Sequence, residues 1–248
     1  MKGVVLAGGL GKRLSPLTKI INKHLLPIYK KPMIYYPIET LVRAGISEIM
    51  IVCGGNNAGD FLKLLGNGQE FGLKQLFYAY QEKEGGIAEA LGLAEHFVND
   101  DLVVVILGDN IFEIDIKNYV EEFKIDGKGA RIFLKKVDNP KEYGVARFEG
   151  EKLIEIVEKP AYPPSDYAVV GLYMYDPQVF EIIKGLRPSH RCELEITDVN
   201  NWYLKKGELK YSIINGEWFD AGESIEAYYR VINFIAKKED KVELFREK

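Results

Sequence analysis

Residues 2–18 read KGVVLAGGLGKRLSPLT. The run Val4, Val5, Leu6 is apolar and partly β-branched, as a strand buried on both faces should be. It runs into Gly8 and Gly9, and Gly11 is followed at once by Lys12 and Arg13. Glycines directly after a buried strand let backbone N–H groups approach a phosphate, and a basic side chain beyond them adds charge where phosphate charge would sit. Glycine alone is explained equally well by a tight turn that needs φ > 0. Two common phosphate templates fail. The dinucleotide fingerprint requires a third glycine where Leu14 stands, and no G-K-[ST] follows four residues after a glycine.

Working outward from this loop, apolar segments alternate in type. The pattern predicts strands at 3–6, 48–52, 73–80 and 102–107, with helices at 33–44, 60–65 and 87–97, the first two closed by Gly45 and Gly66. Strand and helix alternating at this spacing imply a parallel sheet with right-handed crossovers. The glycine loop and Asp109 then lie at carboxyl ends of strands, where open α/β sheets bind ligands. The second half changes character: strands at 130–137, 145–148, 153–158 and 169–175 are joined by short polar links, and 193–205 and 224–237 read as amphipathic helices. The expected fold class is α/β, a Rossmann-like mixed but mostly parallel sheet flanked by helices. One domain, 1–248, is expected, with a nucleotide-binding lobe at about 1–110 and a β-rich sugar-phosphate-binding lobe at about 111–248.

Composition narrows the function classes. The 248 residues suffice for one large α/β domain. A formal net charge of -4 argues against a general nucleic-acid binder, which would be basic. No apolar run approaches the roughly 20 residues of a membrane helix. Met1 and Lys2 lead straight into a strand, so no leader is expected and a cytoplasmic location is. Cys53 and Cys192 show no metal spacing and read as reduced structural thiols. His24, His96 and His190 form no metal pattern, and no Ser/His/Asp arrangement is legible.

The longer match is more specific than the loop. GGLGKRLSPLT followed by NKHLLPIYKKPMIYYPIETLVRAGI resembles the sugar-1-phosphate nucleotidylyltransferases, whose usual opening is GGxGTRLxPLT, then K-x-LLP and KPMI-YYP. The resemblance continues in order through YQEKEGGIAEAL, LGDN, EYGVARF, EKP, YAVVGLYMYD, RCELEITDVN and EWFDAGE, nearly the whole chain. It implies transfer of a nucleotidyl group from dTTP (or UTP) to glucose 1-phosphate with Mg²⁺ as cofactor, by a homo-oligomer with no nucleic-acid or membrane partner. Two positions depart from the family: Lys12 stands where threonine is usual, and Cys192 where glycine is usual. Lys12 adds a charge at the phosphate loop, so nucleotide affinity is expected to differ. The chain is expected to lack the C-terminal helical extension many bacterial members carry, and the feedback and assembly attributed to that extension are not carried over.

In this reaction the sugar phosphate oxygen attacks the α-phosphorus and pyrophosphate leaves. The protein must hold two polyanions together and neutralise developing charge. By resemblance, Arg13 and Lys23 are the catalytic cations, a planar fork and a compact point charge. Lys12, Lys30 and Lys31 read instead as solvated surface charges. Leu6, Gly8, Gly9, Gly11, Gln81, Gly86 and Asp109 are the implied nucleotide site. The Gln81 amide offers both a donor and an acceptor, so it can pair with N3–H and a carbonyl of thymine or uracil. Asp109 and Asp220 are the implied Mg²⁺ ligands, since Mg²⁺ takes one or two carboxylates plus substrate phosphates. Tyr143, Gly144, Glu158, Lys159, Val169, Tyr173 and Arg191 are the implied sugar-phosphate site, with Glu158 accepting from sugar hydroxyls and Lys159 and Arg191 clamping phosphate. Tyr143 and Tyr173 read equally well as core aromatics. Glu193 is expected in the first turn of a helix, where acid is favourable. Competing readings are another NDP-sugar pyrophosphorylase, a non-catalytic nucleotide-sugar sensor, and a glycosyltransferase, whose Asp-x-Asp motif LGDN does not supply.

Overall fold

The opening strand predicted from the glycine-terminated run forms and lies inside a nine-stranded sheet. The computed structural model describes residues 1–55 and 58–246, with side chains through residue 239. In chain order the first half contains β1 (Lys2–Ala7), β2 (Pro27–Ile28), β3 (Lys31–Pro32), α1 (Tyr35–Arg43), β4 (Glu48–Gly54), α2 (Ala58–Leu65), β5 (Gln75–Gln81), α3 (Ile87–Gly92), α4 (Glu95–Val98) and β6 (Val103–Leu107). The second half contains β7 (Asn110–Phe112), α5 (Lys117–Asp126), β8 (Ala130–Lys136), β9 (Gly144–Glu149), β10 (Lys152–Glu158), β11 (Tyr167–Tyr175), α6 (Gln178–Lys184), α7 (Ile196–Lys206), β12 (Leu209–Ile213), β13 (Trp218–Asp220) and α8 (Ile225–Arg246).

The sheet runs β10-β9-β11-β6-β1-β4-β5, with β8 and β12 beyond β11. β1 is parallel to both β4 and β6, and β4 to β5. Following the pairings outward, only β10 and β11 oppose the other strands. The sheet is therefore mixed and mostly parallel, and helices flank it. The chain leaves β1 toward β4 and β5 and returns to β1's other side as β6. That reversal opens a crevice at the carboxyl ends of β1 and β6.

Alternation along β1 sorts its side chains into two cores. Val4 and Leu6 pack with Ala88, Leu91 and Val199 under α3, α6 and α7, while Val5 and Ala7 pack with Ile38, Phe61 and Phe123 under α1, α2 and α5. A third, smaller core of Leu14, Leu26, Met33, Tyr228 and Val231 seats α8 on the segment after the glycine loop.

The sheet forks at β11. Leu172 to Tyr175 pair with β6, and Ala168 pairs with Val145 of β9 while also pairing with β8. β6 and β9 therefore share one edge of β11, and residues 169–171 between them have no strand partner there. Asn110 Oδ1 accepts the Gly171 N–H in this gap at 3.0 Å. The Leu107 side chain at the end of β6 also packs against Gly171.

Several sequence expectations shift. Residues 87–97 form two helices, because α3 ends at Gly92 and α4 restarts at Glu95. α7 begins at Ile196 with Glu195 at its N-cap, so Glu193 lies in the preceding loop and not in a first turn. Cys53 is buried, but Cys192 is exposed and has φ 60. The left-handed backbone explains why glycine is favoured at position 192. The helices α5 and α6, the strand β12 and the paired β7 and β13 escaped the sequence reading. Among the described residues no helix is long and apolar enough to cross a membrane.

Candidate active site

The crevice holds two contiguous clefts. One, of about 430 Å³, is lined by Leu6, Gly8, Gly9, Arg13, Lys23, Gln81, Gly86, Asp109 and Asp220. The other, of about 180 Å³, is lined by Tyr143, Gly144, Glu158, Lys159, Val169, Tyr173, Arg191 and again Arg13 and Asp220. Of the residues implied from sequence, only Gly11 lines neither. It takes φ 67 to open the one-turn 3-10 helix Lys12–Leu14, and its carbonyl accepts from Thr18 Oγ1 at 2.8 Å. Its part is to shape the loop. That turn buries Leu14 and leaves Arg13 exposed over the junction of the clefts.

Gly8 lets the loop lie close to Gln81: a Cβ there would lie 2.2 Å from Gln81 Oε1, so the glutamine side chain would have to shift. Gln81 Nε2 donates to Glu89 Oε2 at 2.8 Å and to the Gly86 carbonyl at 3.3 Å. Gly86 has φ 97, and a Cβ on it would meet the Leu194 carbonyl at 2.5 Å. The segment before α3 is thus pressed against the loop that leads into α7.

Lys23 is aimed by a short 3-10 turn, Lys23–Leu25, which Asn22 caps by accepting the His24 N–H at 3.0 Å. His24 is buried, and burial lowers its pKa to about 3, so it is neutral. Lys23 Nζ forms an ion pair with Asp109 Oδ2, the two side chains being 13% and 8% exposed. Asn110 Nδ2 donates to Asp109 Oδ1 at 3.1 Å, while Asn110 Oδ1 accepts from Trp218 Nε1 at 2.8 Å. Asp220 arrives from the far end of the chain because β13 pairs with β7, setting Asp220 opposite Asn110. The Ala221 N–H donates to the Asp109 carbonyl at 2.9 Å.

The two aspartates sit differently. Burial opposes the charge on Asp109, but Lys23 and the Asn110 amide outweigh it and hold the carboxyl well below the usual range. Asp220 is pushed up to about 7 by its depth among protein atoms and by the charge of Asp109, with Lys23 and Arg13 opposing. Two carboxylates that repel each other across a cleft fit a divalent cation. Among the described residues no third His, Cys, Asp or Glu completes a ligand group. Such a pair suits Mg²⁺, which leaves its remaining positions to phosphates and water.

In the second cleft, Glu158 is raised by burial and by Glu195, with Thr197 and Arg191 opposing. Thr197 Oγ1 donates to Glu158 Oε2. A Cβ on Gly144 would lie 3.0 Å from that hydroxyl. Lys159 takes φ 39 and donates its N–H to the Tyr143 carbonyl at 3.0 Å. Tyr143 meets Trp218 edge-on, ring centres 5.5 Å apart. Tyr173 and Val169 are buried in the floor, Tyr173 stacked on Tyr175 at 6.0 Å, so Tyr173 is a core aromatic that also walls the cleft. Arg191 is encircled by acid: Nη2 lies 2.7 Å from Glu193, 2.9 Å from Glu195 and 3.7 Å from Glu158. Its guanidinium holds these three carboxylates together.

Sequence reading missed Ile87, Leu107 and Glu193, which line both clefts, and Asn110, Thr197 and Trp218 around the second. Asn110, Thr197 and Trp218 lie inside or beside quoted motifs, LGDN, ELEITDVN and EWFD. Motif context could have flagged them.

Comparison with known proteins points to one family with more than one activity among its members. The family model described as "Nucleotidyl transferase" matches residues 2–238. A glucose-1-phosphate thymidylyltransferase of Neisseria meningitidis is 41% identical over 95% of this chain and 82% of its own length. One from an Actinoplanes species is 43% identical over 95% of this chain and 78% of its own. A crystal structure described as a glucose-1-phosphate thymidylyltransferase from Bacillus anthracis in complex with sucrose superposes with TM-score 0.90 at 52% identity, covering 94% of each chain. An apo UDP-glucose pyrophosphorylase superposes with TM-score 0.84 at 25% identity, covering 96% of this chain and 99% of that one.

Proposed function

The chain belongs to the nucleotidyl transferase family, and we propose that it transfers a thymidylyl group from dTTP to glucose 1-phosphate, giving dTDP-glucose and pyrophosphate. The observation that carries this reading is that Arg13 and Asp220 line both clefts. A bond between substrates held in adjacent clefts forms at their junction, and there a cation and a carboxylate meet. The thymidylyltransferase relatives, at 41% and 43% identity over 95% of the chain, support the substrate pair.

The glycine loop and Lys23 hold the triphosphate at the carboxyl end of β1. Arg13 faces the α-phosphate and the attacking sugar phosphate, and its fork offsets charge that builds as the new P–O bond forms and pyrophosphate departs. Asp109 and Asp220 would hold Mg²⁺, which when bound supplies charge neutralisation and a template for the phosphates. Lys23, which pairs with Asp109, lines the same cleft and offers its ammonium to phosphate. Glu158, ordered by Thr197 and Arg191, accepts from sugar hydroxyls, and Lys159 approaches the sugar phosphate. Gln81 reads the pyrimidine edge once its amide turns from Glu89.

Pyrophosphate release across all pairs of nucleoside triphosphate and sugar 1-phosphate tests this. The fastest pair should be dTTP with glucose 1-phosphate, UTP should follow by a modest factor, and ATP and GTP should trail by roughly 10⁴-fold, as expected when buried polar groups are left unpaired. A chain fastest with UTP would be a UDP-glucose pyrophosphorylase on the same scaffold. One that used ATP or GTP as well as dTTP would remove the base-reading role of Gln81.

A further inference from the structure

One ion pair in the nucleotide cleft has no part in the reaction described so far. Lys12 Nζ lies 2.7 Å from Glu84 Oε2, and the Leu10 N–H donates to Glu84 Oε1 at 3.2 Å. Leu10 and Lys12 belong to the loop after β1, whereas Glu84 belongs to the turn after β5. Lys12 and Glu84 both line the cleft of about 430 Å³ that holds Gly8, Gly9 and Lys23. A single carboxylate therefore spans the cleft mouth and takes one backbone N–H and one ammonium from the glycine loop. Those are the donors a phosphate group takes from such a loop.

The electrostatics agree with that comparison. Burial pushes the Glu84 carboxyl up, but Lys12, the Leu10 N–H and Lys23 outweigh it and hold the group below the usual carboxylate range. The pair is also easily opened. The Lys12 side chain is 73% exposed and that of Glu84 43%, and exposed ion pairs contribute little net stability. A triphosphate brings several negative charges to donors that Glu84 meets with one, so it wins the competition. Glu84 can leave by side-chain rotation alone, because the adjacent Gly85 carbonyl is anchored by the Leu194 N–H at 2.7 Å.

Resting on the reaction proposed above, we propose that Lys12 is a further triphosphate-binding residue and that Glu84 stands in for a terminal phosphate until nucleotide arrives. Sequence alone read Lys12 as a solvated charge at the phosphate loop that alters nucleotide affinity, and named no partner for it. A threonine at this position could not make this ion pair. Lys23 and Asp109 form a second cation–carboxylate pair deeper in the cleft.

Calorimetric titration of inorganic tripolyphosphate, and separately of dTTP, into nucleotide-free protein tests the proposal. Lys12→Thr should weaken tripolyphosphate binding about fivefold, the worth of one exposed charge contact, and flatten its dependence on salt. Glu84→Gln should tighten it by about threefold, because the competing charge is gone. The double variant should resemble Lys12→Thr, and the KM for glucose 1-phosphate should stay within about twofold of wild type in all three. The role of Lys12 is overturned if Lys12→Thr binds tripolyphosphate as wild type does, or if wild type shows no binding at millimolar concentration. The stand-in role of Glu84 is overturned if Glu84→Gln weakens binding as much as Lys12→Thr, since Glu84 would then be holding Lys12 in the complex. Tripolyphosphate carries neither base nor sugar and needs no turnover. A protein that binds it through Lys12 yet releases pyrophosphate from no nucleotide would remove the proposed reaction and leave this inference standing.

Discussion

At the scale of single residues, the two aspartates are not equivalent. Asp109 is half of a buried ion pair with Lys23, and Asp220 is a raised carboxyl held against it. Removing Asp109 outright would leave a buried ammonium uncompensated, at a cost of about 3 kcal/mol or more. Asparagine also lacks the charge, but it keeps the volume and a hydrogen-bond acceptor for Lys23, so it is the smaller perturbation at both sites. Asp109→Asn and Asp220→Asn should each lower turnover at saturating Mg²⁺ by roughly 10²-fold or more, and the double variant should fall short of the product of the two losses. Near wild-type turnover in either would show that it is not a metal ligand. Arg13→Ala should lower kcat by roughly 10²-fold, the loss of one preorganised charge donor. Lys159→Ala should instead raise KM for the sugar phosphate. Steady-state kinetics with each substrate varied separate these, and an Arg13 effect confined to the sugar KM would contradict its place at the junction.

At the scale of elements, the sugar-phosphate cleft depends on α7 being fastened to β10. Asn201 on α7 accepts the Ile156 N–H at 2.9 Å and donates to the Ile156 carbonyl at 2.7 Å. One turn earlier, Thr197 holds Glu158, two residues beyond Ile156. Asn201→Ala leaves two backbone groups of β10 without their partner, which should cost about 1–3 kcal/mol. Because the same contact sets the distance from α7 to Glu158, KM for glucose 1-phosphate should rise several-fold while KM for dTTP holds. Equal changes in both would mean that α7 acts on the whole fold and not on this cleft. The helix α7 was legible in the sequence, but its start was not. Glu195 and Asp198 have helical spacing, but the backbone before Ile196 is engaged elsewhere: the Leu194 N–H donates to the Gly85 carbonyl, the Glu193 carbonyl accepts from the Ser189 N–H, and Arg191 draws both Glu193 and Glu195 to itself.

At the scale of the whole molecule, His24 makes stability depend on pH. Its folded pKa is about 3 against an ordinary 6.5, chiefly from burial. The unfolded chain therefore binds a proton that the folded chain refuses. Stability from this group is complete above about pH 6.5 and falls as pH drops toward 3, by about 1.4 kcal/mol per unit at most. Urea unfolding of His24→Gln at pH 7, 5 and 4 should show a shallower acid slope than wild type by about one proton. Parallel slopes would mean that other groups carry the acid sensitivity. The alternating apolar strands and the glycine-terminated β1 by themselves determined the α/β class, the parallel order of the first half and the crevice at the strand ends, because strand burial and crossover handedness are local rules. Sequence motifs also singled out many of the residues that line the two clefts, though not Ile87, Leu107, Glu193, Asn110, Thr197 or Trp218. Only the tertiary structure decided which of them meet. Asp220 reaches Asp109 because β13 pairs with β7, the second cleft exists because β6 and β9 leave a gap on one edge of β11, and Lys12 finds Glu84 because β5 ends beside the glycine loop. Those are contacts between segments far apart in the chain, set by sheet order and register, which no local pattern encodes.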